Sequence, residues 1–187
     1  MKYILCCILI CQCYYSTAQL QKSKLVFSSI NNVALVVGET KNAFAVQSKN
    51  GFQKGTWFAG IGSGFDFYEK RTIPLFLALQ KDFFNGPKKL FVYTDAGINF
   101  RWLQSTDYRY KNSTSKPGLY YELGLGFKVK FKNNTNLNFS AGYNLKQVKE
   151  TYNPFWYIFP VQPPNPEVIE KYNSSFRRVI IRLGLTI

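Results

Sequence analysis

Few side chains in this 187-residue chain are equipped for chemistry, and their distribution is uneven. There is no histidine, which removes the commonest general base, the Ser-His-Asp triad and every His-ligated metal site. The four cysteines, Cys6, Cys7, Cys11 and Cys13, all lie in the first thirteen residues. What remains is charge: Asp66, Asp95, Arg101, Glu122, Lys128, Arg178 and Arg182 stand on faces interleaved with glycine. An unpaired buried charge costs several kcal/mol, so Asp66, Asp95 and Glu122 are expected to meet Arg101, Lys128 and Arg182. Gly60, Gly62 and Gly64 have the spacing G-x-G-x-G with no helix to follow, so they are expected to make room for large neighbours rather than to cradle a phosphate.

The elements that must hold these charges alternate with a period of two. Trp57, Ala59, Ile61, Ser63, Phe65 and Phe67 form one face, opposed by Gly60, Gly62, Gly64 and Asp66. Ile73, Leu75, Leu77 and Leu79 oppose Pro74, Phe76, Ala78, Gln80 and Asp82 in the same way. Leu90, Val92, Ala96, Ile98, Phe100 and Trp102 oppose Tyr93, Asp95, Gly97, Asn99 and Arg101. Leu123, Leu125 and Phe127 oppose Glu122, Gly124, Gly126 and Lys128, while Phe139, Ala141 and Tyr143 oppose Ser140, Gly142 and Asn144. At the C-terminus Val179, Ile181, Leu183 and Leu185 oppose Arg178, Arg182 and Gly184. With two less regular segments at 29–39 and 42–50, the chain is expected to form eight strands. Short turns are expected at 50–55, where Asn50-Gly51 is a hairpin signal, at 84–89 and at 132–135. At the other end the links are 39–41, 68–71, and two long loops at 103–117 and 148–174.

Composition supports an all-β chain: 17 Phe, 13 Tyr and 3 Trp against a single Met. Lys2 and the apolar stretch to Tyr15, followed by Ser16-Thr17-Ala18, read as a signal peptide over residues 1–18, with the mature domain spanning 19–187. Lipidation would need a small residue before its cysteine, yet Ile10 precedes Cys11 and Gln12 precedes Cys13. The chain carries 24 Lys and Arg against 10 Asp and Glu, a net charge of +14. Loss of Lys2 with the leader would leave 23 basic residues against 10 acidic ones, or +13.

The sense of the alternation decides the environment. A soluble sandwich puts its large aliphatics inside and its charges out. Here the charges share their faces with glycine, which suits a narrow interior, and the continuous apolar faces suit lipid. A closed antiparallel barrel of eight strands meets that demand, since closure leaves no backbone edge in hydrocarbon. Trp57 and Trp102 fall at opposite rims, as an aromatic girdle requires. In GIGSGFDFY at Gly60–Tyr68, IPLFLALQ at Ile73–Gln80, VYTDAGINF at Val92–Phe100 and the last strand, the chain resembles the small eight-stranded outer-membrane β-barrel proteins of Gram-negative bacteria. The resemblance implies residence in the outer membrane, with short turns on the periplasmic side and long loops outside. Such barrels often end in an aromatic residue, whereas this chain ends in Ile187.

The candidate sites follow from this reading. The first is a lumen charge network of Asp66, Asp95, Arg101, Glu122, Lys128 and Arg182. The second is an interaction surface on the last long loop, where Phe155, Trp156, Tyr157 and Phe159 are too apolar for an ordinary exposed loop and can dock on a protein partner or fold over the barrel mouth. Lys70, Arg71, Arg109, Lys111, Lys116, Lys149 and Arg177 at the loop end are candidates to bind lipopolysaccharide phosphates. No cofactor, metal or nucleic acid is expected. The outer-membrane enzymes of similar build use histidine, so a non-enzymatic role, structural or adhesive, is expected; the alternative is a narrow pore or transporter.

Overall fold

The computed structural model describes residues 24–84, 86–102, 113–132, 135–152 and 170–187. The expected signal peptide and the start of the mature chain, Arg109 and Lys111, and the aromatic segment of the last loop lie outside the described residues. Among the described residues nine strands follow in order: β1 (Leu25–Gly38), β2 (Asn42–Lys54), β3 (Trp57–Asp66), β4 (Thr72–Phe83), β5 (Lys88–Arg101), β6 (Ser113–Lys116), β7 (Gly118–Lys132), β8 (Thr135–Tyr152) and β9 (Glu170–Thr186).

Each strand pairs antiparallel with its neighbour, and β9 returns to pair with β1, closing the sheet on itself. β6 and β7 both lie along β8, with Lys116 opposite Lys149 and Tyr120 opposite Lys146, so β6 continues β7 past Pro117. Proline has no N–H to give a ladder, and the break falls where that donor is missing. The nine assigned strands are therefore eight staves of one closed antiparallel barrel.

The two faces have the polarity of a barrel in lipid. Asp95 and Glu122 on the inner face are 0% exposed, whereas Leu77 and Leu125 on the outer face are 69% and 65% exposed. Among the described residues no helix is long and apolar enough to cross a membrane; the crossing belongs to the strands. Outer rings cluster at the two rims. Phe27 packs edge-on against Phe52 at 5.9 Å near the short turns, and Phe65 lies 5.6 Å from Trp102 near the loops.

Three boundaries differ from the sequence expectation, one of them at β6, which lies inside the loop expected at 103–117 because Pro117 interrupts the strand pattern. Asn50-Gly51 is not a turn but lies inside β2, and the chain reverses at Gly55, which has φ of 61°. Gly51 stands opposite Gly60, and a Cβ on it would come within 2.2 Å of the Ala59 carbonyl oxygen. Its glycine serves close strand approach, a role that an Asn-Gly pair in the sequence does not distinguish from a turn. The long loop expected at 148–174 is shorter, because β8 and β9 stay paired from Val148 opposite Ser174 up to Tyr152 opposite Glu170. Hydrogen bonds carry the ladder beyond the point where apolar alternation fades.

Candidate functional site

The inner wall is built by the small residues that alternate with charge. A Cβ on Gly62 would fall 2.3 Å from the Phe76 ring. That ring stacks on Tyr120 with centroids 5.2 Å apart. The glycine face of β3 thus makes room for rings that fill the interior, and the charged side chains thread between them in four tiers.

The middle tier is a balanced quartet. Arg182 on β9 reaches Glu122 on β7 at 2.5 Å and Asp95 on β5 at 3.4 Å, and Lys49 on β2 reaches the same Asp95 oxygen at 2.6 Å. Neutral partners complete it. Tyr93 and Tyr120 each donate a hydroxyl hydrogen bond to Glu122 at 2.8 Å, Asn144 donates to it at 3.1 Å, and Arg182 donates to the side-chain amide oxygen of Gln47 at 2.6 Å. The Arg182 guanidinium lies 5.1 Å from the centre of the Tyr93 ring, and the Lys49 ammonium 4.9 Å from it on the same aromatic group.

Toward the loops, Asp66 accepts from Arg178 at 2.7 Å, pairs with Lys146 at 3.3 Å and accepts the Tyr68 backbone N–H at 2.9 Å. Lys146 also donates to the carbonyls of Tyr68 and Lys70, at 2.9 and 2.8 Å. At the loop rim, Glu150 is held between Lys70 and Arg101. Toward the short turns, Lys128 pairs with Asp82 at 3.0 Å, and Gln80 donates to the other oxygen of Asp82 at 2.8 Å.

All six residues expected in the lumen network face inward and are paired, but the pairing differs from the expected one. Arg182 meets Asp95 and Glu122 as expected. Arg101 meets Glu150 and Lys128 meets Asp82, so neither reaches Asp66, Asp95 or Glu122, and Asp66 is served by Arg178 and Lys146. Lys49, Asp82, Lys146, Glu150 and Arg178 complete the tiers; Arg178 and Asp82 are legible on the polar faces of their strands, but none of the five is in the expected network. Lys49 sits at the expected end of β2 and Glu150 inside the loop expected at 148–174, although their inward parity with Gln47 and Lys146 was readable.

The arrangement closes the interior. Among the described residues, the void beside Lys49, Tyr93 and Arg182 measures about 10 Å³, room for one water at most. At the short-turn mouth there is a vestibule of about 650 Å³ lined by Lys24, Lys89, Lys128 and Lys130, and the Lys128–Asp82 pair lies at its inner side. Among the described residues no three His, Cys, Asp or Glu side chains come together as a metal ion would need.

The expected basic loop residues divide by facing. Lys70 turns to Glu150 and is no free phosphate ligand. Lys149 and Arg177 are exposed on the outward parity of β8 and β9, joined by Lys171, and Lys116 is exposed directly opposite Lys149 in the ladder. In the link between β3 and β4, Glu69 accepts from Thr40 at 2.7 Å and pairs with Lys41 at 3.5 Å, and these contacts hold its carboxyl below the usual carboxylate range.

No family model matches the chain, and no curated protein matches it in sequence. Solved structures do. Neisserial surface protein A superposes with a TM-score of 0.57 at 12% identity, covering 88% of this chain and 98% of that one. The outer membrane protein AlkL gives 0.53 at 12% identity, covering 88% and 89%. The outer membrane protein OprG from Pseudomonas aeruginosa gives 0.55 at 10% identity, covering 86% and 94%. At these identities the likeness is one of fold, and this chain has the fold of the small eight-stranded outer-membrane β-barrels. A closed barrel with an apolar outside and a charged inside spans a bilayer, and the outer membrane is where barrels of this fold reside.

Proposed function

We propose that this barrel is a non-enzymatic outer-membrane protein whose lumen is structural and whose loop end is its interaction surface. The observation that carries the reading is the closed, charge-balanced quartet of Lys49, Asp95, Glu122 and Arg182 at the centre of the barrel. A pathway for solutes needs ions or water in that space, and the space is taken up by paired side chains and by the rings of Phe76, Tyr93 and Tyr120.

Exposed Lys116, Lys149, Lys171 and Arg177 lie on the loop side of the apolar outward runs of β8 and β9. They support contact with the phosphates of lipopolysaccharide, with the protein partner, if one is engaged, taken by the aromatic segment of the last loop.

Planar bilayers test the closed lumen. The purified protein should give no steady conductance, whereas stable ohmic steps would overturn the structural reading in favour of a narrow pore. Vesicles with and without lipopolysaccharide test the rim: replacing Lys116, Lys149, Lys171 and Arg177 by alanine should weaken the protein's stabilisation by lipopolysaccharide, and an unchanged dependence would remove that contact.

A further inference from the structure

The outer surface of the barrel is apolar on most walls and polar on one. On β7 the outward side chains between the rims are Leu119, Tyr121, Leu123, Leu125, Phe127 and Val129, and on β9 they are Val179, Ile181, Leu183 and Leu185. On β2 the outward series runs Phe44, Val46, Ser48, Asn50, Phe52, so a serine and an asparagine lie between the two aromatic rims. Their partners across the ladders are also polar: Asn31 stands opposite Ser48, Ser29 opposite Asn50, and Ser63 on β3 opposite Ser48. Five polar side chains thus form one patch in the belt that faces hydrocarbon. A dent of about 620 Å³ opens in this wall, and its lining includes Asn31, Val46, Ser48, Ser63, Phe65 and Leu183.

The patch is only partly satisfied from within. Asn31 donates to the Ser29 hydroxyl at 3.2 Å, Asn50 donates to the Ser48 hydroxyl at 3.3 Å, and Ser63 donates to the Pro74 carbonyl at 3.0 Å. Each amide keeps a second N–H and a carbonyl oxygen, and the hydroxyls of Ser29 and Ser48 keep their own protons to give. Acyl chains offer these groups nothing, and an unsatisfied polar group in hydrocarbon is costly.

We propose that this wall, centred on Asn31, Ser48 and Asn50, is the interface at which a second copy of the same chain docks in the membrane. Two features select a copy over another partner. The patch shows donors and acceptors together, so it is its own complement. Copies inserted in the same direction are related by a two-fold axis along the bilayer normal, so a polar patch at one depth meets itself at the same depth. Short side chains there let the two walls approach closely, as small residues do where membrane segments pack.

A photoreactive benzoylphenylalanine in place of Phe65, at the edge of the dent, tests this in membranes that hold the full chain. Irradiation should give an adduct of twice the mass, containing only this protein. The same probe at Leu125, on the opposite wall, should give none. The variant Asn31→Leu, Ser48→Leu, Asn50→Leu should lower the adduct yield about tenfold or more, while unboiled samples still migrate as folded barrel. If that variant fails to fold, Asn31→Val alone takes its place with the same direction of change. Adducts to lipid only, to a different protein only, in equal yield from Phe65 and Leu125, or undiminished in the leucine variant would each overturn the proposal.

Discussion

At the scale of the residue, the decisive contacts join side chains far apart in sequence. Arg178 and Asp66 are 112 residues apart, and Arg182 and Glu122 are 60 apart. That each of these faces inward was legible, because parity along a strand decides it. Which acid meets which base was not, because that depends on how the tilted strands are staggered around the lumen, and no single strand's pattern contains the stagger. Asp95 and Glu122 are register partners on β5 and β7, so two like charges share one level, and Arg182 with Lys49 is what permits it. Glu122→Ala leaves Arg182 without one of its two acids, and should destabilise the barrel by about 3 to 5 kcal/mol. The double variant Glu122→Ala, Arg182→Met removes both charges and should recover part of that loss. Glu69→Ala, which breaks the solvent-accessible pair with Lys41 and the hydrogen bond from Thr40, should cost about 1 kcal/mol or less. Urea titrations in lipid vesicles measure all three, and equal effects of the Glu122 and Glu69 substitutions would refute the buried quartet.

At the scale of the element, the eight staves and their facing were readable from alternation alone, including the outward runs of β3, β4, β5, β7 and β9. The boundaries were less so. Asn50-Gly51 carries a turn signal that tertiary packing overrides, and β8 with β9 rises above the apolar belt on backbone hydrogen bonds that leave no periodic mark in the side chains. β6 was hidden inside an expected loop because Pro117 interrupts the pattern. Facing has a direct test on β7. Leu125 is 65% exposed, near the middle of that strand's outward run. Leu125→Arg should cost about 2 to 4 kcal/mol in bilayers, the penalty for a cation near the midplane of a barrel's lipid face. Unchanged folding of this variant would mean that Leu125 does not touch lipid.

At the scale of the whole molecule, the ladder closes from β1 round to β9, and among the described residues it leaves the barrel no open seam in the membrane. Extracted protein should therefore resist unfolding in detergent until heated, migrate faster unboiled than boiled, and give a β-type circular dichroism spectrum. Identical migration before and after boiling, or a helical spectrum, would contradict a closed barrel.

The inner tiers bear on how such a molecule can enter a bilayer at all. Strands that inserted singly would drag Lys49, Asp66, Asp95, Glu122, Lys146, Arg178 and Arg182 through hydrocarbon with no counter-ion beside them, at a penalty of several kcal/mol each. The counter-ions are on other strands: Lys49 of β2 needs Asp95 of β5, and Glu122 of β7 needs Arg182 of β9. Translocation of the charges and closure of the β1–β9 seam are thereby tied to one another. The chain has to cross as a nearly assembled ring, so the obstacle to its biogenesis is a concerted event rather than a sequence of independent hairpins.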